Sequence, residues 1–370
     1  MCKFLAKFHK KHFLGTLICL FVCISCSRNE NNATEELQAT FMHTNSLISS
    51  AGILAVFDDT LFLGARQQDY LFDKYLIDGD SLRLIGSLVK RGNGPNELLM
   101  AGAQLVNKQS HRLLFYDTNT SKAVEVLPGD TVKYRGIDSF RQPGNAFIMR
   151  AEYRSDSSLI ACLINTNELN EWFADLNIIS GELTIIPEFS PNDGIDSSPL
   201  TKQWLYNSGA RLKKHPKQDW YAYTCDEGLY LELFKTKNDS IIDRKVLLNQ
   251  YPKYHTGDDG VTPTGFPGEQ LMGLQIDTTE DFIYATFSDM THNDFRKIAS
   301  GQTVNKLSKP GMTDGFDNRL YIFDWSGTLI KSYELSHPIA NIAASDTKRE
   351  IYGVTEDEDG EYQVVKYSVL

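Results

Sequence analysis

The hydrophobic positions of this chain fall in short runs of Val, Ile, Leu, Phe and Tyr, broken by clusters of Asp, Asn, Gly and Ser. They almost never recur at the 3.6-residue spacing of an amphipathic helix, so the pattern predicts strands joined by turns. The strongest runs begin at Leu61 (LFLGAR), Leu113 (LLFYDT), Leu159 (LIACLI), Trp220 (WYAYTC), Phe282 (FIYATF) and Ile351 (IYGVT). Successive starts lie 52, 46, 61, 62 and 69 residues apart. Each run follows a polar turn such as Asp58-Asp59-Thr60, Lys108-Gln109-Ser110-His111 or Ser345-Asp346-Thr347, whose side chains can close a hairpin. A further strand comes after several of them, at Leu229–Phe234, Leu320–Phe323 and Gln363–Val369.

Six copies of one unit imply a repeat architecture. A four-stranded propeller blade takes about 40–50 residues, and long loops supply the excess seen here. The fold class expected is therefore all-β, a six-bladed β-propeller with four-stranded blades. The last copy stops after its third strand. The alternating Leu37, Ala39 and Phe41 predict that Leu37–Met42 adds the missing outer strand and closes the ring from the N-terminal side. A β-sandwich followed by a second β domain is the competing fold, and it does not account for the sixfold count.

The first residues change how composition is read. Lys3, Lys7, Lys10 and Lys11 precede an apolar stretch from Phe13 to Ile24 that is short for a membrane span, ending in Cys23-Ile24-Ser25-Cys26. This has the form of a lipoprotein signal: residues 1–25 leave, Cys26 carries the lipid, and residues 26–36 form a polar tether to a propeller over 37–370. Several acyl chains hold a protein at a membrane where one does not. Ser27, in place of Asp, resembles the outer-membrane sorting position of lipoproteins, which implies an outer-membrane location with the periplasmic or surface side left open. The whole chain of 370 residues has a formal charge of -11. Losing four lysines and no acid leaves 33 basic and 48 acidic residues, a charge of -15 that speaks against nucleic-acid binding. Of six cysteines only Cys162 and Cys225 remain in the body, each in an apolar strand pattern that predicts a buried free thiol more readily than a disulfide.

Blade-to-blade links and links between second and third strands emerge on one face of a propeller. Proline marks the first class at Pro95, Pro143, Pro199, Pro267 and Pro338. Residues 95–100 (PNELLM) and 267–272 (PGEQLM) share Pro-x-Glu-x-Leu-Met and lead into blades two and five, on opposite sides of the ring. One reading gives the Glu to backbone amides and packs Leu-Met between blades. The other turns Glu97 and Glu269 to the channel mouth to hold a cation or polar ligand. The first copy is embedded in Arg91-Gly92-Asn93-Gly94-Pro95-Asn96-Glu97. Together with the Cys26 signal and the blade count, this segment resembles the Arg-Gly-x-Gly-Pro-x-Glu of Bacteroides-type lipoproteins carrying a TolB-like six-bladed β-propeller. That resemblance implies fold and location and carries no well-established activity. The second copy departs from it, with Thr264-Gly265-Phe266 in place of the Arg-containing lead.

Segments 187–203, 249–270 and 288–318 exceed the about 12–15 residues of an ordinary loop. By the strand count all three emerge on the face of Arg91 and Glu97. The candidate ligand-binding face is therefore Arg91, Asn93, Glu97, Tyr254, His255, Asp258, Glu269, His292 and Asp294, and segment 288–318 is expected to be removable without loss of fold. No Gly-x-Ser-x-Gly elbow and no His-Glu-x-x-His occurs, and the only Cys-x-x-Cys lies in the signal. Gly257-Asp258-Asp259-Gly260 lacks the alternating ligands of an EF-hand loop. No catalytic residue is assigned. The function expected is recognition of a glycan, peptide or partner protein. The alternative is a lactonase or hydrolase with Ca2+ in the channel, for which Glu97, Asn145, Glu269 and Asn341 near inner-strand starts are the candidate positions, Glu97 and Glu269 first.

Overall fold

A computed structural model describes residues 34–370 except 49–51, 66–68, 101–102, 118–121, 130, 136–145, 166–170, 188, 303–315 and 358. Cys26, Pro143 and Asn145 lie outside the described residues. From Glu36 onward the chain is one contact unit.

All six strong runs are second strands of antiparallel blades. Blade one comprises Ile53–Phe57, Thr60–Gly64, Tyr70–Asp78 and Ser81–Lys90, with the short His43–Thr44 parallel to its outer edge. Blade two comprises Ala103–Asn107, Arg112–Asp117, Lys122–Leu127 and Thr131–Tyr134. Blade three comprises Ala146–Ser155, Ser158–Asn165, Phe173–Asn177 and Leu183–Ile186. Blade four comprises Arg211–Lys214, Trp220–Thr224, Leu229–Lys237 and Ser240–Gln250.

Blades five and six share a strand. Gln275–Thr278, Phe282–Phe287 and Asp317–Asp324 pair on into the first part of the 16-residue Leu329–Ala344. Its last part is the inner strand of blade six, followed by Glu350–Glu356 and Tyr362–Ser368. Pro338, which cannot donate to a ladder, sits where the strand passes from one blade to the other. Thr40–Phe41 pairs with Lys366 and Val365 and completes blade six, as the alternation at residues 37–41 predicts. The six innermost strands neighbour one another in an unbroken cycle, so the ring is closed.

The core explains why the second strands read as continuous apolar runs. Both faces of each blade are covered, and successive side chains serve different neighbours. Leu113 and Phe115 pack toward blade one, whereas Leu114 and Tyr116 pack toward blade three. Six apolar clusters occupy the six seams. The seam between blades three and four is the most aromatic, with Phe173, Phe189, Tyr223 and Phe234 in mutual ring contact. Cys162 and Cys225 lie in that seam as buried free thiols. The outer strand Ser240–Gln250 meets solvent along most of its length.

Among the described residues two helices interrupt the β pattern, both inside long loops. The first, α1 (Pro199–Ser208), starts at Ser198, whose hydroxyl accepts from Thr201 N at 3.0 Å, and Pro199 takes the first turn, where no donor is needed. The second, α2 (His292–Ala299), starts with a capping box between Thr291 and Asp294. Neither shows in the hydrophobic pattern, because α1 buries mostly polar residues (Thr201, Gln203 and Asn207 beside Leu205 and Tyr206) and α2 buries only Asp294.

Candidate functional site

The three long segments meet on one face, as the strand count predicts. Asp193, in the link from blade three to blade four, is the first knot. Its buried carboxylate accepts from Lys202 Nζ at 2.7 Å, Tyr206 OH at 3.2 Å and Tyr254 OH at 2.9 Å. It therefore ties α1 to the link between blades four and five. Glu227, in the turn before the third strand of blade four, is the second knot. It accepts from Gln270 Nε2 at 2.8 Å and lies 2.8 Å from His292 Nε2 on α2. The Phe266 ring stacks parallel to His292, with centroids 5.5 Å apart. Asn293 N donates to Gly268 O at 2.8 Å, and His292 N donates to Gln270 O at 3.0 Å.

These knots border a cleft of about 780 Å3 between blades four and five. Asn249, Gln250, Lys253 and Glu269 are exposed along it. Tyr251 lies half-buried in its wall, stacked on Tyr230 at 5.1 Å. Gly228 makes the close approach beneath it: at φ +69° a Cβ would come within 2.5 Å of Gln250 O, so no other residue fits the turn.

The predicted site residues divide. Tyr254, Glu269 and His292 belong to the cleft or its supports. Asp294 caps α2, its carboxylate accepting from Thr291 N at 3.0 Å. His255 and Asp258 are exposed on the next hairpin, where Asp259 accepts from Val261 N and Thr262 N at 2.9 and 2.8 Å. The Thr262 hydroxyl, which also donates to this carboxylate, and those two backbone bonds hold the Asp259 carboxyl down at about 2.

Arg91, Asn93 and Glu97 form a separate group before blade two. Glu97 accepts from Gly94 N at 2.8 Å, and Lys122 Nζ donates to Asn93 O at 2.8 Å. Arg91 donates to Leu99 O at 3.0 Å. The Glu97 carboxylate thus serves one backbone amide and lies 3.9 Å from Lys90 Nζ. Leu99 and Met100 do not pack between blades: they are 44% and 46% exposed, and Leu98 is the buried residue. In the second copy Leu271 joins the core, so the two motifs are used differently. Asn341 is exposed on the inner strand of blade six, in the left-handed region at φ 56° beside a register shift. Among the described residues no three His, Cys, Asp or Glu side chains gather as a metal site.

The described ends of segment 288–318 are part of the fold, against the expectation that the whole segment is removable. Met290, Phe316, Asp317 and Asn318 are buried, and Asp317 begins the third strand of blade five.

Sequence reasoning missed the opposite mouth of the channel, where the first and second strands of each blade turn. Lys108, in the turn of blade two, reaches across to blades five and six. Its ammonium donates to Asp277 Oδ2 at 2.9 Å, Thr278 O at 2.6 Å and Ala344 O at 2.9 Å. Asp277 also accepts from Ala344 N at 2.8 Å, and these contacts hold its carboxyl below the usual range despite full burial. The signal was present in the alternate charged positions of inner strands, Arg150, Glu152 and Arg154, and Arg211 and Lys213. A period of two along a strand that faces the ring axis puts those charges in the channel.

The model of the TolB-like 6-blade propeller-like family matches residues 30–347. Among solved structures, the chain is similar to a member of the DUF4221 family from Bacteroides vulgatus, at 12% identity and a TM-score of 0.56, covering 90% of this chain and 96% of that one. A protein of Bacteroides fragilis has 9% identity and a TM-score of 0.49, with coverage of 92% and 96%. A gluconolactonase from Xanthomonas campestris has 9% identity and a TM-score of 0.42, with coverage of 89% and 94%. Likeness at such identities concerns the fold alone. No protein of curated function matches the chain. No helix of the described residues is long and apolar enough to cross a membrane. With six blades, a closed ring and a family match over most of its length, the chain belongs to the TolB-like 6-blade propeller-like family.

Proposed function

We propose that this propeller is a recognition module, held at the outer membrane through lipidated Cys26, which binds a glycan, a peptide or a partner protein in the cleft between blades four and five. The observation that carries the reading is the way three long loops are locked around that cleft. Asp193 and Glu227 fix them with charged hydrogen bonds of 2.7 to 3.2 Å, while the amide and charged side chains at the rim stay exposed. A rim ordered beforehand loses little freedom on binding, and a pocket pairing an aromatic wall with a few polar groups suits sugars and peptides.

A photo-crosslinking side chain at Gln250 or Lys253, compared with one at exposed Lys217 on the opposite face, tests this in cells. Adducts specific to Gln250 or Lys253 are expected. Adducts only from Lys217 would move the binding site to the other mouth.

A further inference from the structure

The opposite mouth holds a second cavity, of about 410 Å3, lined by Lys108, Glu152, Arg154, Lys213, Lys214, His215 and Asp277 among others. Most of its charges are matched. Lys108 is saturated by three acceptors including Asp277, and Arg154 donates to Asp175 and to Asp239.

Lys213 and Glu152 are different. The Lys213 ammonium makes no hydrogen bond among the described residues. It lies 3.9 Å from Glu152 and 4.0 Å from Asp277, too far to donate to either. The Glu152 side chain is 5% exposed, and only its Oε1 is bonded, accepting from Tyr153 N at 2.9 Å. Lys214 Nζ stands 3.8 Å from Asp219 and likewise makes no hydrogen bond. The His215 Nδ1 accepts from Lys217 N and Gln218 N at 3.0 and 3.2 Å, which places the ring proton on Nε2. The cavity therefore presents a surplus of donors.

We infer that this mouth is a binding site for a small oxyanion, held by the ammonium groups of Lys213 and Lys214 with the Glu152 carboxyl beside them. Burial pushes the Glu152 carboxyl up to about 7, so it is neutral in mildly acidic solution and can donate. Above neutrality the same group becomes a carboxylate beside the anion and repels it. The groups facing Glu152 are Lys213 and Lys214 from blade four, Asp277 from blade five, Lys108 from blade two, and Arg154 on its own strand. Tyr153 and Tyr221 lie behind it, and Asp346 faces Lys108 and Asp277 from the rim of blade six. The site is separate from the blade four–five cleft and does not rest on it.

Calorimetric titration of the purified protein with sodium sulfate and with sodium gluconate, at pH 6 and pH 8 and matched ionic strength in NaCl, is the test. Saturable binding of at least one probe is expected at pH 6, weaker by about tenfold or more at pH 8. Lys213→Met is expected to abolish it. The near-isosteric Glu152→Gln, which guards against a folding defect, is expected to bind equally at both pH values. Tyr251→Ala should leave it unchanged. A response to gluconate alone identifies a hydroxycarboxylate site, and one to sulfate alone a tetrahedral-oxyanion site. No binding of either probe at pH 6, undiminished binding in Lys213→Met, or a persisting pH dependence in Glu152→Gln would each overturn the inference.

Discussion

Replacing Lys108 by Met tests how the ring is held at its turn-side mouth. The Lys108 side chain is 8% exposed and Asp277 5%, so neither charge is stabilised by bulk water. Met keeps the length of the side chain and its apolar stem, and removes only the ammonium. Asp277 then keeps the Ala344 amide at 2.8 Å and a distant Lys213 at 4.0 Å, while the Thr278 and Ala344 carbonyls lose their shared donor. Removing one partner of a buried ion pair costs about 3–5 kcal/mol, because the surviving charge is left uncompensated. That is a large part of the roughly 5–15 kcal/mol that holds a domain together. Urea unfolding followed by tryptophan fluorescence, with circular dichroism as a second probe of two-state behaviour, measures the loss. Lys217→Met is the control: its 2.6 Å pair with Glu280 is exposed on both sides, so its loss should stay under about 1 kcal/mol. Adding Asp277→Asn to Lys108→Met should restore a substantial part of the stability. A loss in Lys108→Met no larger than in Lys217→Met would refute the idea that this lysine staples blade two to blades five and six.

Three further outcomes follow. Burial pushes the Asp317 carboxyl up to about 7, where its Oδ2 accepts from Thr286 Oγ1 at 2.6 Å. The folded state thus binds a proton that the unfolded state has lost between about pH 4 and 7, and stability falls as pH rises through that window. Asp317→Asn should therefore add about 1–3 kcal/mol at pH 8 and little at pH 4, measured by urea midpoints at the two pH values; an equal gain at both would contradict the assignment. Burial also raises the Cys162 thiol and takes Cys225 up to about 12. Peptide mapping should find both unlabelled by iodoacetamide in the native protein and labelled in urea; native labelling would show that the blade three–four seam opens. Cys26→Ala should shift the protein from the membrane fraction to the soluble fraction and remove its lipid mass; retention in the membrane would disprove the anchor.

The sequence carried the architecture because each second strand is buried on two sides. Runs such as LLFYDT and LIACLI stand out without alternation, since Leu113 and Leu114 serve different seams. The closing strand was visible for a related reason: Leu37, Ala39 and Phe41 turn one face to the core beside blade six. The loop-rich face was legible as topology, through the positions of its three long segments. Its internal wiring was not. Asp193 and Glu227 have no local motif, and their partners lie up to 61 and 65 residues away. The helices were missed because capping by Ser198 and Thr291, and not a hydrophobic stripe, defines them. Lys108 looked like an ordinary turn residue, and only the closed ring brings it to Asp277, 169 positions later.

The most direct test of the recognition reading is an array of glycans and peptides probed with the purified protein and with a Tyr251→Ala/Gln250→Ala variant shown to retain its fold. The structure of the cleft predicts binding to a defined subset, weakened about tenfold or more in the variant, the scale expected when a central aromatic contact is lost. The same binding profile in both proteins would contradict it.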